Sequence, residues 1–201
     1  MRDSENIEQL AQLNPDYMGF IFYPKSKRYA DARLTKETLD ALPSSIKKVG
    51  VFVNYSPEQV DEVMQRYNFD FVQLHGDESP EVCQEIKALG YSVIKAFGVD
   101  ESFDFNLLTP YKSYCDFFLF DTKGKDYGGH GVTYDWTILE KYDQSIPFFL
   151  SGGLSANNIS EVKKLSNLNI HAVDVNSKFE IEPGYKNIDL LKKSVFEEFE
   201  K

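Results

Sequence analysis

A chain of 201 residues with 42% hydrophobic side chains can bury one sizeable core, so a single domain over residues 1–201 is expected. Acidic residues outnumber basic ones by 32 to 22, for a net charge of −10, and no basic stripe stands out, which argues against nucleic acid and anionic membrane as partners. Two cysteines, Cys83 and Cys115, make neither a disulfide scaffold nor a zinc site. With no signal-like segment and no bilayer-length apolar run, a cytoplasmic protein is expected.

Ser4 to Leu13 reads as a helix, with Ser4 placed to cap it and Ile7, Leu10 and Ala11 as its apolar stripe. Residues 17–23 form a continuous apolar run, the pattern of a strand buried on both faces. The alternation then continues with helix 35–42, strand 48–53, helix 57–67, strand 69–74 and helix 79–89. Strand 91–97, a short helix near 103–110, strand 116–120, helix 135–141 and strand 147–150 follow. Helix 156–165, strand 171–175 and a terminal helix near 187–199 complete the chain. Ser56-Pro57, Ser79-Pro80 and Ser155 mark helix starts. Such strict alternation implies parallel strands with crossover helices. Seven strands and eight helices, helix first, suit either an open doubly wound sheet or a closed barrel one strand short.

Chemistry-bearing residues collect at the ends of the expected strands. Asp121 follows four apolar residues, where a carboxylate emerges at a strand's C-terminal end; a plain loop aspartate is the competing reading. The cluster Gly128-Gly129-His130-Gly131 behind it lets backbone amides approach an anion. Ser151-Gly152-Gly153 leads toward a helix starting near Ala156, a junction that suits a phosphate, and Asn176-Ser177 adds donors after the last strand. Arg28, in a cationic loop, can meet a carboxylate in bidentate fashion or stand solvated. His75 is equally an acid–base group or a strand cap. Trp136 reads as packing.

In order and spacing these pieces resemble the phosphoribosylanthranilate isomerases, (β/α)8-barrel enzymes of tryptophan biosynthesis. The matching segments run from Gly19-Phe20-Ile21-Phe22 with Ser26 and Arg28, through Gln73-Leu74-His75-Gly76 and Phe120-Asp121-Thr122, to Leu150-Ser151-Gly152-Gly153-Leu154. They close with Val173-Asp174-Val175-Asn176-Ser177, Glu180 and Pro183-Gly184-Tyr185-Lys186. The resemblance implies an α/β fold, a (β/α)8 TIM barrel lacking its first strand, and an Amadori rearrangement that needs no cofactor and no metal. It places the general acid on Asp121 and the anthranilate carboxylate on Arg28, with His75 also at the substrate. The phosphate falls on Gly152, Gly153, Asn176 and Ser177, helped by Gly129 and Gly131. The partner implied is a small phosphosugar, bound by a monomer or homodimer.

Two departures from the family pattern accompany the resemblance. The family's first strand ends in Lys-x-Cys-Gly, whose cysteine is the general base, whereas this sequence begins at Met1-Arg2-Asp3, which looks like the residues just after that motif. Weak or absent isomerase activity and reduced stability are therefore expected of this form. Lys178 stands where many relatives carry glycine, with its role open. Two other readings remain: another phosphosugar barrel enzyme of histidine or tryptophan biosynthesis, and a phosphosugar-binding barrel without catalysis.

Overall fold

The computed structural model describes residues 1–122 and 135–199. Its centre is a sheet of seven parallel strands: β1 (Tyr17–Phe22), β2 (Lys47–Phe52), β3 (Phe71–Leu74), β4 (Ser92–Val99), β5 (Phe117–Thr122), β6 (Phe148–Ser151) and β7 (Ile170–Val173). Their spatial order is their sequence order. That order sets aside the doubly wound sheet and is the order of a barrel-type sheet. A doubly wound sheet reverses direction at a switch point, whereas a barrel adds each new strand on the same side.

The sheet curls because both of its faces are apolar and each needs cover. Alternate residues point to opposite faces. One set, including Val49, Val51, Ile94, Ala96, Leu119 and Phe149, forms a cluster of its own inside the curl, with Tyr17, Ile21, Phe71 and Phe117 packed against it. The other set, including Phe20, Phe52, Leu74, Phe118 and Leu150, joins a larger core shared with the helices. The first and last strands share no ladder, yet the Tyr17 hydroxyl lies 2.7 Å from His171 Nε2, and the two rings meet at 5.6 Å. The inner cluster thus spans the sheet from β1 to β7.

Every expected helix position holds helical turns, though not all are α-helical. The α-helices are α1 (Ser4–Ala11), α2 (Lys36–Asp40), α3 (Pro57–Tyr67), α4 (Pro80–Ala88) and α5 (Ile188–Leu191), the last running into π-helical turns at Lys192–Phe196. The helices expected near 103–110, 135–141 and 156–165 are instead 3₁₀ segments, Phe105–Tyr111, Trp136–Lys141 and Ile159–Leu165. Ile159, Val162 and Leu165 are buried at a spacing of three, the period of that tighter helix.

The caps follow local chemistry, with one correction. Asp3, not Ser4, caps α1, accepting from the Asn6 amide, while the Ser4 hydroxyl reaches Thr38. A carboxylate at the dipole's positive end is the better acceptor. Ser56 forms a full capping box with Gln59 ahead of α3. Ser79 holds the cap position of α4 without a side-chain cap bond. A short antiparallel hairpin, β8 (Glu180–Glu182) and β9 (Tyr185–Lys186), was not expected from the sequence. Trp136 is buried in the outer core, as packing requires. No helix among the described residues is long and apolar enough to cross a membrane.

Candidate active site

Asp121 ends the apolar run of β5 and shares a face with Phe117 and Leu119, so the alternation that buries those two brings its carboxylate to the mouth of the curl. It lies in register with Gly98 of β4 and Ser151 of β6. Around it is a cavity of about 290 Å³ lined by Arg28, His75, Ser151, Gly152, Gly153, Leu154, Asp174, Asn176, Ser177 and Lys178. All of them follow or end strands on one side of the sheet. Seven of the nine residues expected from the sequence therefore meet at one opening; Gly129 and Gly131 lie outside the described residues.

His75 follows β3. Its Nε2 is 4.0 Å from Asp121 Oδ2, and both side chains are partly open to solvent, at 36% and 40%. The Gln73 amide nitrogen lies 2.9 Å from His75 Nδ1. With that amide donating, the proton of a neutral ring sits on Nε2, the atom facing Asp121. The loop carrying His75 is held by a buried node: Glu78 accepts from the amides of Asn54 and Gly76 and pairs with Lys95 at 3.2 Å. Lys95 also donates to the carbonyls of Gly76 and Ala96, so both charges are saturated.

The Gly152–Gly153 turn differs from expectation. Gly152 and Gly153 have φ of 82° and 68°, a left-handed pair that side chains would strain, and it turns the backbone at the cavity wall. The α-helix expected from Ala156 is absent. The Asn158 side chain instead accepts from the Ser155 amide and donates to Gly153 O, closing a polar turn ahead of the 3₁₀ segment. An anion here would rest on turn amides and not on a helix dipole. Asn176 Oδ1 accepts from Lys186 Nζ at 2.7 Å, which leaves its amide nitrogen as the end for a ligand.

Arg28 is no solvated loop cation. Its guanidinium is clasped by Glu180 at 2.6–3.0 Å. Burial acts to raise the Glu180 carboxyl, but the Arg28 hydrogen bonds, the Lys186 charge and the Gly184 amide outweigh it and hold it below the ordinary carboxylate value. Asp174, which the apolar run places inside a strand, lies just beyond β7, accepts from Ser151 Oγ at 3.0 Å and faces the same cavity. Lys178 lines it too. Neither cysteine lines it. Cys83 and Cys115 are buried, and the Cys115 thiol is pushed up, first by its hydrogen bond to Cys83 and then by burial. Among the described residues no three His, Cys, Asp or Glu side chains converge to hold a metal ion.

A curled sheet of seven parallel strands with an acid, a clasped arginine and a glycine turn at one mouth is the arrangement of a (β/α)-barrel-type enzyme. The model of N-(5'-phosphoribosyl)anthranilate (PRA) isomerases matches residues 1–197. The isomerase of Parabacteroides distasonis is 44% identical over 193 residues, covering 96% of this chain and 87% of that protein. The isomerase of Caldanaerobacter subterraneus is 40% identical, with coverage of 96% and 91%. The crystal structure of phosphoribosyl anthranilate isomerase from Thermotoga maritima superimposes with a TM-score of 0.82 at 36% identity, covering 97% and 93% of the two chains. A further isomerase structure, in complex with reduced 1-(o-carboxyphenylamino)-1-deoxyribulose 5-phosphate, gives 0.79 at 33% identity, covering 96% and 91%. The chain belongs to the phosphoribosylanthranilate isomerase family.

Proposed function

We propose that this chain carries out the Amadori rearrangement of N-(5-phosphoribosyl)anthranilate to 1-(2-carboxyphenylamino)-1-deoxyribulose 5-phosphate, in tryptophan biosynthesis. The supporting observation is the single cavity that gathers Asp121, Arg28 and the Gly152–Gly153 turn with Asn176 and Ser177. Asp121 protonates the furanose ring oxygen as the bond from C1 to that oxygen breaks, and the aniline nitrogen lone pair forms the Schiff base. Loss of the C2 proton then gives an enamine, which tautomerises to the ketone. C1 is reduced as C2 is oxidised, so the electrons balance within the substrate. Arg28 takes the anthranilate carboxylate, the glycine turn with Asn176 and Ser177 takes the phosphate, and His75 lies beside the acid.

We read the base for C2 as the cysteine of a strand ending in Lys-x-Cys-Gly, seated between β1 and β7. Two observations support this: β1 and β7 share no ladder, and Cys83 and Cys115 lie away from the cavity. These 201 residues alone then turn over weakly. The test follows the fluorescence of fresh phosphoribosyl anthranilate with this chain and with one carrying such a strand ahead of Met1. Turnover by the extended chain, at least ~100-fold faster, is expected. Equal rates would remove the cysteine's role. No turnover by either, with both binding a phosphosugar, would leave a binding scaffold.

A further inference from the structure

The clasp between Arg28 and Glu180 joins residues far apart in sequence, the loop after β1 and the first residue of the β8–β9 hairpin. Its geometry is specific. Arg28 Nε donates to Glu180 Oε1 and Oε2 at 3.0 and 2.9 Å, and Nη2 donates to Oε2 at 2.6 Å. A guanidinium has two usable edges, one along Nε and Nη2 and one along Nη1 and Nη2. Glu180 occupies the first. The second belongs to an arginine that lines the cavity and is still 25% exposed, whereas the Glu180 side chain is only 3% exposed.

Glu180 is itself held from three sides. Its Oε1 accepts from the Gly184 amide at 3.1 Å and from Lys186 Nζ at 3.2 Å, and Lys186 Nζ continues to Asn176 Oδ1. The Lys186 backbone is fixed in turn by the buried Asn6 side chain, which donates to its carbonyl at 2.9 Å and accepts from its amide at 2.6 Å. As a stabilising device the ion pair contributes little, because burying two charges costs about what their attraction returns. As an orienting device it is rigid.

We propose that Glu180 is the positioning residue for carboxylate recognition: it pins one edge of Arg28 so that the other edge meets the substrate carboxylate end-on. This deepens the functional reading above and rests on it. Through Lys186 the same carboxylate steadies Asn176, so the two ends of the site are held at a set separation. The ligand selected is one that carries a carboxylate and a phosphate at opposite ends.

Calorimetric titration with two probes separates the possibilities. One is reduced 1-(o-carboxyphenylamino)-1-deoxyribulose 5-phosphate, which carries both anions, and the other is ribose 5-phosphate, which lacks the carboxylate. Glu180→Gln keeps the side chain's size but turns N–H groups toward the arginine. It is expected to weaken the first probe roughly 10–100-fold and the second by less than about twofold. Arg28→Ala should show the same selectivity, and the combined variant should lose no more than Arg28→Ala alone. Glu180→Asp, which restores the charge, should recover part of the affinity for the first probe. Unchanged affinity of Glu180→Gln for the first probe, or equal losses on both, overturns the positioning role. Failure of the functional reading looks different: the unmodified protein would bind both probes equally, and Arg28→Ala would change neither.

Discussion

At the scale of single residues, the arrangement of the cavity makes distinct demands on acid and carriers. Asp121 is assigned the proton, so Asp121→Asn in a turnover-competent, extended chain should lower kcat by about 10²–10⁴ with little change in KM. A steady-state assay checks this, and a loss confined to KM would move Asp121 from acid to carrier. Asn6 belongs to no motif, yet it is fully buried with both ends of its amide bonded to Lys186. Asn6→Ala leaves two backbone groups of a buried residue unsatisfied and should cost about 1–3 kcal/mol in urea unfolding. Arg28, His75, Asp121, Gly152, Gly153, Asn176 and Ser177 were legible because each sits just beyond an apolar run, and all of them line the cavity. Asp174 and Lys186 were not singled out, since a lone charged residue in a short segment looks like any solvated one until its partners are seen.

At the scale of elements, the strands were read well and the later helices less so. A strand buried on both faces announces itself by an unbroken apolar run, and every such run became a strand. A helix of six or seven residues has too few turns for a period of 3.6 to be told from one of 3.0. Only the strict Ile159, Val162, Leu165 spacing carried the signal for the tighter form. The β8–β9 hairpin was invisible for a similar reason. Its strands, at three and two residues, are too short to show alternation, although Pro183-Gly184 is a turn signal. The Lys95–Glu78 pair joins the middle of β4 to the loops after β2 and β3. Both side chains are almost fully buried, so Lys95→Met leaves the Glu78 carboxylate buried without its cation, held only by the Asn54 and Gly76 amides. A loss of about 3–5 kcal/mol is expected by urea denaturation, and a loss below ~1 kcal/mol would show that the node is dispensable.

At the scale of the whole molecule, several groups respond to acid: the Met1 amine, pushed down to about 5 by burial, and Asp143, held at about 2 by Lys112, act beside His171 and Glu180. Partial burial of the His171 ring against Tyr17, Phe117 and Phe149 pulls it below its ordinary 6.5, with Asp16 opposing. The unfolded chain then takes up that proton first, so stability falls as pH drops from about 6.5 through the folded value. Glu180 is held below its ordinary 4.5, so the stability it lends is complete above that pH and is lost as pH falls through its folded value. Unfolding free energies measured from pH 7 to pH 3 should show both declines. Replacing His171 by Phe should reduce the upper decline and leave the part owed to the Met1 amine; an unchanged slope would show that His171 has no share in it.

The order of apolar runs and of residues at their ends was enough to determine an alternating α/β chain, a family, and the mouth at which its chemistry gathers. Those features are local: each needs only a residue and its neighbours along the chain. Whether the sheet walks in one direction, and that a buried carboxylate 152 positions away takes the Nε edge of Arg28, are not local. They depend on which distant groups are brought within hydrogen-bond range as both faces of the sheet are covered, and only the tertiary structure decides that.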